Sequence, residues 1–229
     1  MITDDLDKKN TIFYMVDMQN DFVNPNGALY VPNAETLIPT IQRLQAYARD
    51  NGIREYASVD RHFFSDAEIT DAPDWSKTFP PHCMDGTIGQ KIVDELKLAG
   101  ADYIGNKLDE AGQQNFYKYD DLLIELGTLE KVVFEKQSND VATNKHFAEA
   151  IWYLKSQQGI TNVVVYGVAT DYCVKDAVKA FQDNGFGVFV VRDAIAGISQ
   201  DNSNKALDDF VAHDARLISS LDILRRDHG

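Results

Sequence analysis

A chain of 229 residues has room for one large domain or two small ones, and an apolar fraction of 44% is ample for a packed core. A net charge of −14 with no Lys/Arg cluster repels nucleic acid and anionic lipid, and a neutral or cationic small substrate suits this field better than a polyanion. No apolar run reaches the roughly 18 residues of a membrane span, the acidic start MITDDLDKKN lacks the apolar stretch of a secretory signal, and the two cysteines, Cys83 and Cys173, read as free thiols in a reducing cytoplasm.

Residues 1–10 form a polar tail, and the periodicity beyond them alternates between strand and helix over 11–229 without linker, repeat or low-complexity tract. Thr11–Asp17 reads as a buried strand and Ala34–Asp50 as an amphipathic helix, with Leu37, Ile41, Leu44 and Ala48 three or four apart. Ile53–Asp60 is the next strand, Ile88–Leu98 looks helical, and Asp102–Gly105 is strand-like. Asn106–Thr128 has no clean period; an inserted lid, an oligomer contact and a plain surface excursion all fit it, and a homo-oligomer stays open on that account. Lys131–Glu135 is a strand, Lys145–Ser156 a helix, Asn162–Gly167 a strand, Asp171–Asn184 a helix, Gly187–Arg192 a strand and Asn202–His213 a helix, with a short edge at Arg216–Ser219. Strands that are apolar throughout and separated by helices predict an α/β fold, a single-domain Rossmann-like three-layer sandwich with a mostly parallel central sheet.

In such folds ligands bind at the carboxyl ends of strands near the switch in strand order. Asp17 ends the first strand, Asp60 the second with His62 just beyond, Glu135 and Lys136 a third, and Gly167–Cys173 follows a fourth. Cys173, in the first turn of a predicted helix, is placed where backbone N–H groups favour thiolate and can hold an oxyanion. Taken alone, a cysteine at such a junction is more often a small buried hydrophobe. Asp17 and Lys136 are the proton carriers at hand, although one could cap a turn and the other form a surface ion pair. Asp60 and His62 point to the same side of an extended segment, and His82, on the loop FPPHCMDGT, could fold back over them. One carboxylate and two imidazoles make an open site for Zn²⁺, with Fe²⁺ or Mn²⁺ as alternatives; hydrogen bonds across loops are the plainer reading.

Five segments taken together, VDMQNDF at 16–22, SVDRH at 58–62, FPPHCMDGT at 79–87, FEKQS at 134–138 and GVATDYCVKDA at 167–177, resemble the nicotinamidase branch of the isochorismatase-like cysteine hydrolases. The resemblance runs in order from residue 11 to about 198. It implies a catalytic triad of Asp17, Lys136 and Cys173, a cis Val168–Ala169 peptide, an oxyanion hole from the N–H groups of Ala169 and Cys173, and a divalent metal, zinc first, on Asp60, His62 and His82. Aromatic side chains flank the pyridine ring in the family; the matching positions here are Phe22 and Phe79, where Phe79 replaces a common Trp. Glu68 is the candidate for the fourth ligand that some relatives carry. Two segments depart from the branch: Asp60-Arg61-His62-Phe63 stands for the usual Asp-Trp-His-Pro, and QSNDVATN follows the lysine instead of a Gly-rich stretch.

The expected activity is hydrolysis of a small amide, nicotinamide first, to acid and ammonia through a cysteine thioester. The rivals are a relative acting on a carbamoyl, ureido or other amide, a non-catalytic binding module on the same fold, and a redox role for Cys173.

Overall fold

The computed structural model describes residues 6–106 and 129–225. Most of the segment expected as a lid, oligomer contact or surface excursion, residues 107–128, lies outside the described residues. Seven strands form one sheet, β1 Thr11–Val16, β2 Arg54–Asp60, β3 Asp102–Ile104, β4 Lys131–Lys136, β5 Asn162–Val168, β6 Gly187–Ala196 and β7 Arg216–Ile218. Their order is β3-β4-β2-β1-β5-β6-β7, and every pairing is parallel. Parallel pairing forces each connection to cross a face of the sheet, so both faces are covered and the strands lose their polar side. β1 accordingly alternates between two cores. Phe13 and Met15 face Ile41, Leu44 and Ala48 of helix α2 (Ile38–Asp50), which follows a four-residue helix α1 (Asn20–Val23). Ile12, Tyr14 and Val16 face Phe147 and Ile151 of α3 (Phe147–Gln158), Val178 and Phe181 of α4 (Cys173–Asp183), and Phe210 of α5 (Gln200–Ala212). A last short helix, α6 (Ser220–Leu224), adds Ile223 to the first core.

The polar start is less of a tail than its composition predicts: Leu6 is buried and Lys8–Asn10 form a 3₁₀ turn capped by Asp7. The larger difference is Ile88–Leu98, expected as a helix, where only Asp94–Leu96 makes a 3₁₀ turn. Its backbone pairs with the loop after β1 instead. The Lys91 and Gly89 carbonyls accept from the N–H groups of Asn20 and Asp21, and the Val93 N–H donates to the Met18 carbonyl. A helix would need those groups internally, so tertiary pairing overrides the local period. The exposure of Ile88, 75%, fits a segment held by its backbone and not by an apolar stripe.

The chain runs from β1 to β2 on one side and returns to β5 on the other, so the switch in strand order lies beside β1. Its carboxyl end is tightly built. Gly167 pairs with Val16 at φ 122, and a Cβ there would sit 2.1 Å from the Val16 carbonyl oxygen. Gly167→Ala should therefore combine backbone strain of about 1–3 kcal/mol with overpacking of about 1–3 kcal/mol. A urea titration should show the midpoint fall accordingly; an unchanged midpoint would mean that the close approach of β1 and β5 is not required.

Candidate active site

Register delivers the polar residues. Ser58 pairs with Val16, and Asp60 with Lys136, at the carboxyl ends of β2, β1 and β4. Asp17 follows β1 in the left-handed region, φ 47, with its N–H donating to the Ser58 carbonyl and its carbonyl accepting from the Gln19 N–H at 2.7 Å. That turn aims the carboxylate across the strand ends. The side chain of Gln19 then grips the backbone of Asp60 from both sides, donating to its carbonyl and accepting from its N–H, each at 2.7 Å.

Asp17, Lys136 and Cys173 come together and are buried. Lys136 Nζ is 2.9 Å from Asp17 Oδ2 and 3.5 Å from Cys173 Sγ, and the Ser58 hydroxyl donates to Asp17 Oδ1 at 2.7 Å. Lys136 also forms an ion pair with Asp60, so the ammonium is shared between two carboxylates and a thiol. Burial opposes its charge, but Asp17 and Asp60 outweigh burial and hold the Lys136 ammonium well above its usual range. Burial likewise opposes the charge of Asp60, yet Lys136 and the neighbouring His62 and His82 keep that carboxyl well below the ordinary value. Asp17 goes the other way: burial raises it, Lys136 pulls it down, and the charge of Asp60 adds to the rise.

Cys173 is the first residue of α4, as expected, but its thiol differs from the expectation of a stabilised thiolate. Burial pushes it well above the ordinary thiol range; Lys136 lowers it, and Asp17 and Asp60 raise it further. A single ammonium, already engaged by two carboxylates, does not offset desolvation. A thiol of raised proton affinity thus lies beside Lys136 and Asp17. The peptide between Val168 and Ala169 is cis, as the resemblance implies.

Asp60, His62 and His82 also converge, with ligand atoms within 4.8 Å of one another. His62 Nε2 and His82 Nε2 lie 3.7 and 3.6 Å from Asp60 Oδ2. Their other nitrogens are turned away: His82 Nδ1 donates to the Pro80 carbonyl at 2.8 Å, and His62 Nδ1 is 3.4 Å from Asp66 Oδ2. In a neutral ring that leaves Nε2 with its lone pair facing Asp60. His62 Nε2 is buried without a hydrogen-bond partner. Two imidazoles oriented by outer hydrogen bonds, a carboxylate kept ionised and an orphaned ring nitrogen fit a divalent cation. Glu68 stays outside this group of three, although its buried Oε1 has no hydrogen-bond partner. Burial, then the charge of Asp60, raises its carboxyl.

The two clusters open on one narrow cleft, with Cys173, Asp60, His82 and Ala169 in its lining. Phe22 and Phe79 line it too, and both rings lie against His82, with centroids 5.5 and 6.1 Å away. Sequence reasoning missed Leu29, Val31, Tyr172 and Ile198, which make the rest of the wall largely apolar, and Asn139, whose Oδ1 is 3.7 Å from Cys173 Sγ. Nothing in their local sequence marks them. Ser58 could have been found, because it sits two residues before Asp60 and so faces the same side of β2.

The isochorismatase domain model matches residues 11–111 and 118–222, and the chain belongs to that family. It is 28% identical over 206 residues to the nicotinamidase/pyrazinamidase of Mycobacterium tuberculosis, covering 90% of this chain and 97% of that one. It is 25% identical over 227 residues to a nicotinamidase of Saccharomyces cerevisiae, covering 89% and 97%. In fold it resembles the pyrazinamidase of Pyrococcus horikoshii in complex with zinc, with a TM-score of 0.66 at 21% identity over 92% of this chain and 99% of that one.

Ser58→Ala would leave a buried oxygen of Asp17 without its donor. The expected loss is about 1–3 kcal/mol of stability, read as a lower urea midpoint at unchanged slope. A variant as stable as the parent would show that the Ser58 hydroxyl does not hold the carboxylate.

Proposed function

We propose that this protein hydrolyses nicotinamide to nicotinate and ammonia, with Cys173 as nucleophile, Asp17 as general base and acid, and Lys136 as the charge that organises them. The observation that carries the reading is the convergence of thiol, carboxylate and ammonium on a narrow cleft that also exposes Asp60 and His82. In its cell such an enzyme would serve pyridine nucleotide salvage, and two free buried cysteines suit a reducing cytoplasm.

The flat ring enters between Phe22 and Phe79, which places the carboxamide over Cys173. The thiol keeps its proton until attack, because burial raises it. Asp17, also raised by burial, is then a competent acceptor. As the Sγ–C bond forms, the proton passes to Asp17 and the carbonyl oxygen gains charge, which the N–H groups of Ala169 and Cys173 would stabilise. Asp17 returns the proton to nitrogen, the C–N bond breaks, and ammonia leaves behind a thioester. Asp17 next takes a proton from water, which attacks the thioester and frees the acid and the thiol. Lys136 stays an ammonium throughout and keeps Asp17 turned to the sulfur. Asp60, His62 and His82 would hold a divalent metal, zinc first, whose chemistry there is to bind a ring nitrogen as a Lewis acid. Ureido and carbamoyl acids suit the cleft less well, since no Arg or Lys is among the described residues lining it to pair with a substrate carboxylate.

Ammonia release from nicotinamide and from benzamide, measured with metal content, tests this. The wild type should carry about one divalent ion that a strong chelator removes, and should turn over benzamide, which lacks the ring nitrogen, markedly more slowly. Cys173→Ala and Asp17→Asn should each lower kcat by on the order of 10³-fold or more while remaining folded. Parental turnover by Cys173→Ala would sink the mechanism; equal rates on the two amides in a metal-free protein would remove nicotinamide as the preferred substrate.

A further inference from the structure

Arg61 stands between two of the proposed metal ligands, yet its side chain points away from them and is buried. A buried guanidinium needs partners for its charge and its fork of donors. Arg61 has them on two different segments. Its Nε donates to Asp85 Oδ1 at 2.7 Å, and its Nη1 donates to Glu135 Oε2 at 2.9 Å. Asp85 belongs to the loop that carries His82, and Glu135 immediately precedes Lys136 on β4. The backbone repeats the same connections. The Arg61 N–H donates to the Lys136 carbonyl at 2.9 Å, and Gln137 Nε2 donates to the Arg61 carbonyl at 3.1 Å. On the other side, the His62 N–H donates to the Cys83 carbonyl and the Asp85 N–H to the His62 carbonyl. The guanidinium also lies 5.4 Å from the centre of the Phe63 ring.

We propose that Arg61 is a positioning residue that fixes the His82 loop and the Lys136 strand end to the Asp60–His62 segment, one carboxylate arm for each. The inference rests on the proposed metal and triad roles, and its two arms are separable. The Asp85 arm sets where His82 Nε2 meets Asp60 and His62, so it governs metal retention. The Glu135 arm sets where Lys136 Nζ lies relative to Cys173 Sγ, 3.5 Å away, so it governs the reactivity of the thiol. The two carboxylates meet the fork at different nitrogens, Nε and Nη1, and the single nitrogen of a shorter-reaching ammonium does not reproduce that spacing.

The test compares the full-length wild type with Arg61→Met, Arg61→Lys, Asp85→Asn and Glu135→Gln. Two readouts are used: zinc retention against a chromophoric chelator, and the rate of Cys173 alkylation by iodoacetamide, followed on the Cys173 peptide so that Cys83 does not interfere. Thermal melts establish that each variant is folded. Arg61→Met should hold zinc 10–100-fold more weakly, the range for losing a group that orients metal ligands, and its Cys173 should alkylate several-fold more slowly. Asp85→Asn should reproduce the zinc effect alone and Glu135→Gln the alkylation effect alone. Arg61→Lys should not restore both. A folded Arg61→Met protein with parental zinc retention and parental alkylation would overturn the proposal, as would single-arm variants that lower the melting temperature and move neither readout. Should the wild type take up no zinc, the metal reading fails by itself, and the alkylation rates of Arg61→Met and Glu135→Gln still decide the role of Arg61.

Discussion

The sharing of one buried ammonium constrains everything around it. Lys136 faces two carboxylates and a thiol, and all four side chains are almost sealed from water. Removing several charges from solvent costs more than a single ion pair returns, so such a group persists only where partners and hydrogen bonds are complete. Here Lys136 and the two neighbouring imidazoles hold the Asp60 carboxyl low, while burial leaves Asp17 and Cys173 with raised proton affinities. The asymmetry separates two carboxylates of the same chemical type. In the proposed reaction one is a fixed anion beside two imidazoles, and the other accepts and returns a proton.

The sheet makes this cluster possible. Five buried groups, Asp17, Ser58, Asp60, Lys136 and Cys173, come from the ends of three neighbouring strands, β1, β2 and β4, and from the helix that follows β5 beside them. Parallel strands bring all carboxyl ends to one edge, and the reversal of strand order beside β1 leaves space there. Gly167 lets β5 approach β1 closely just before Asp17, and Gln19 fastens the end of β2 to the loop after β1. Backbone interactions thus place the strand ends before any side chain of the site is positioned.

Much of this was legible in the sequence because burial on both faces leaves continuous apolar runs, and their ends are easy to see. Asp17, Asp60, Lys136 and Cys173 stand at such ends, and the structure gathers them. What the sequence hid is of two kinds. Ile88–Leu98 has an apolar spacing that suits a helix, but its carbonyls are claimed by Asn20 and Asp21, some seventy residues earlier, and no local pattern reports a partner that distant. The proton affinity of Cys173 is also not legible from position alone. A helix N-terminus stabilises a thiolate, but the degree of burial and the second carboxylate beside it belong to the tertiary structure. Arg61 is an instance of the same limit: nothing beside it in sequence names its partners, and its two carboxylates lie 24 and 74 residues away.

The charge of the cleft also bears on the direction of the proposed reaction. A neutral amide meets no penalty at a floor that holds Asp60 and Asp17, provided that its ring is covered by Phe22 and Phe79. Hydrolysis makes a carboxylate where the amide stood, close to those same acidic groups. Lys136 is already engaged by both of them, and the described residues lining the cleft include no other cationic side chain, so the divalent ion proposed on Asp60, His62 and His82 is the one positive charge left to meet it. Like charges at short range in a poorly solvated cleft repel strongly, and the chain as a whole carries −14. In the proposed reaction the fate of the acid therefore turns on the ion: a divalent metal on Asp60, His62 and His82 offsets the carboxylates and retains it, whereas without that charge the same cleft disfavours the acid relative to the neutral amide from which it came.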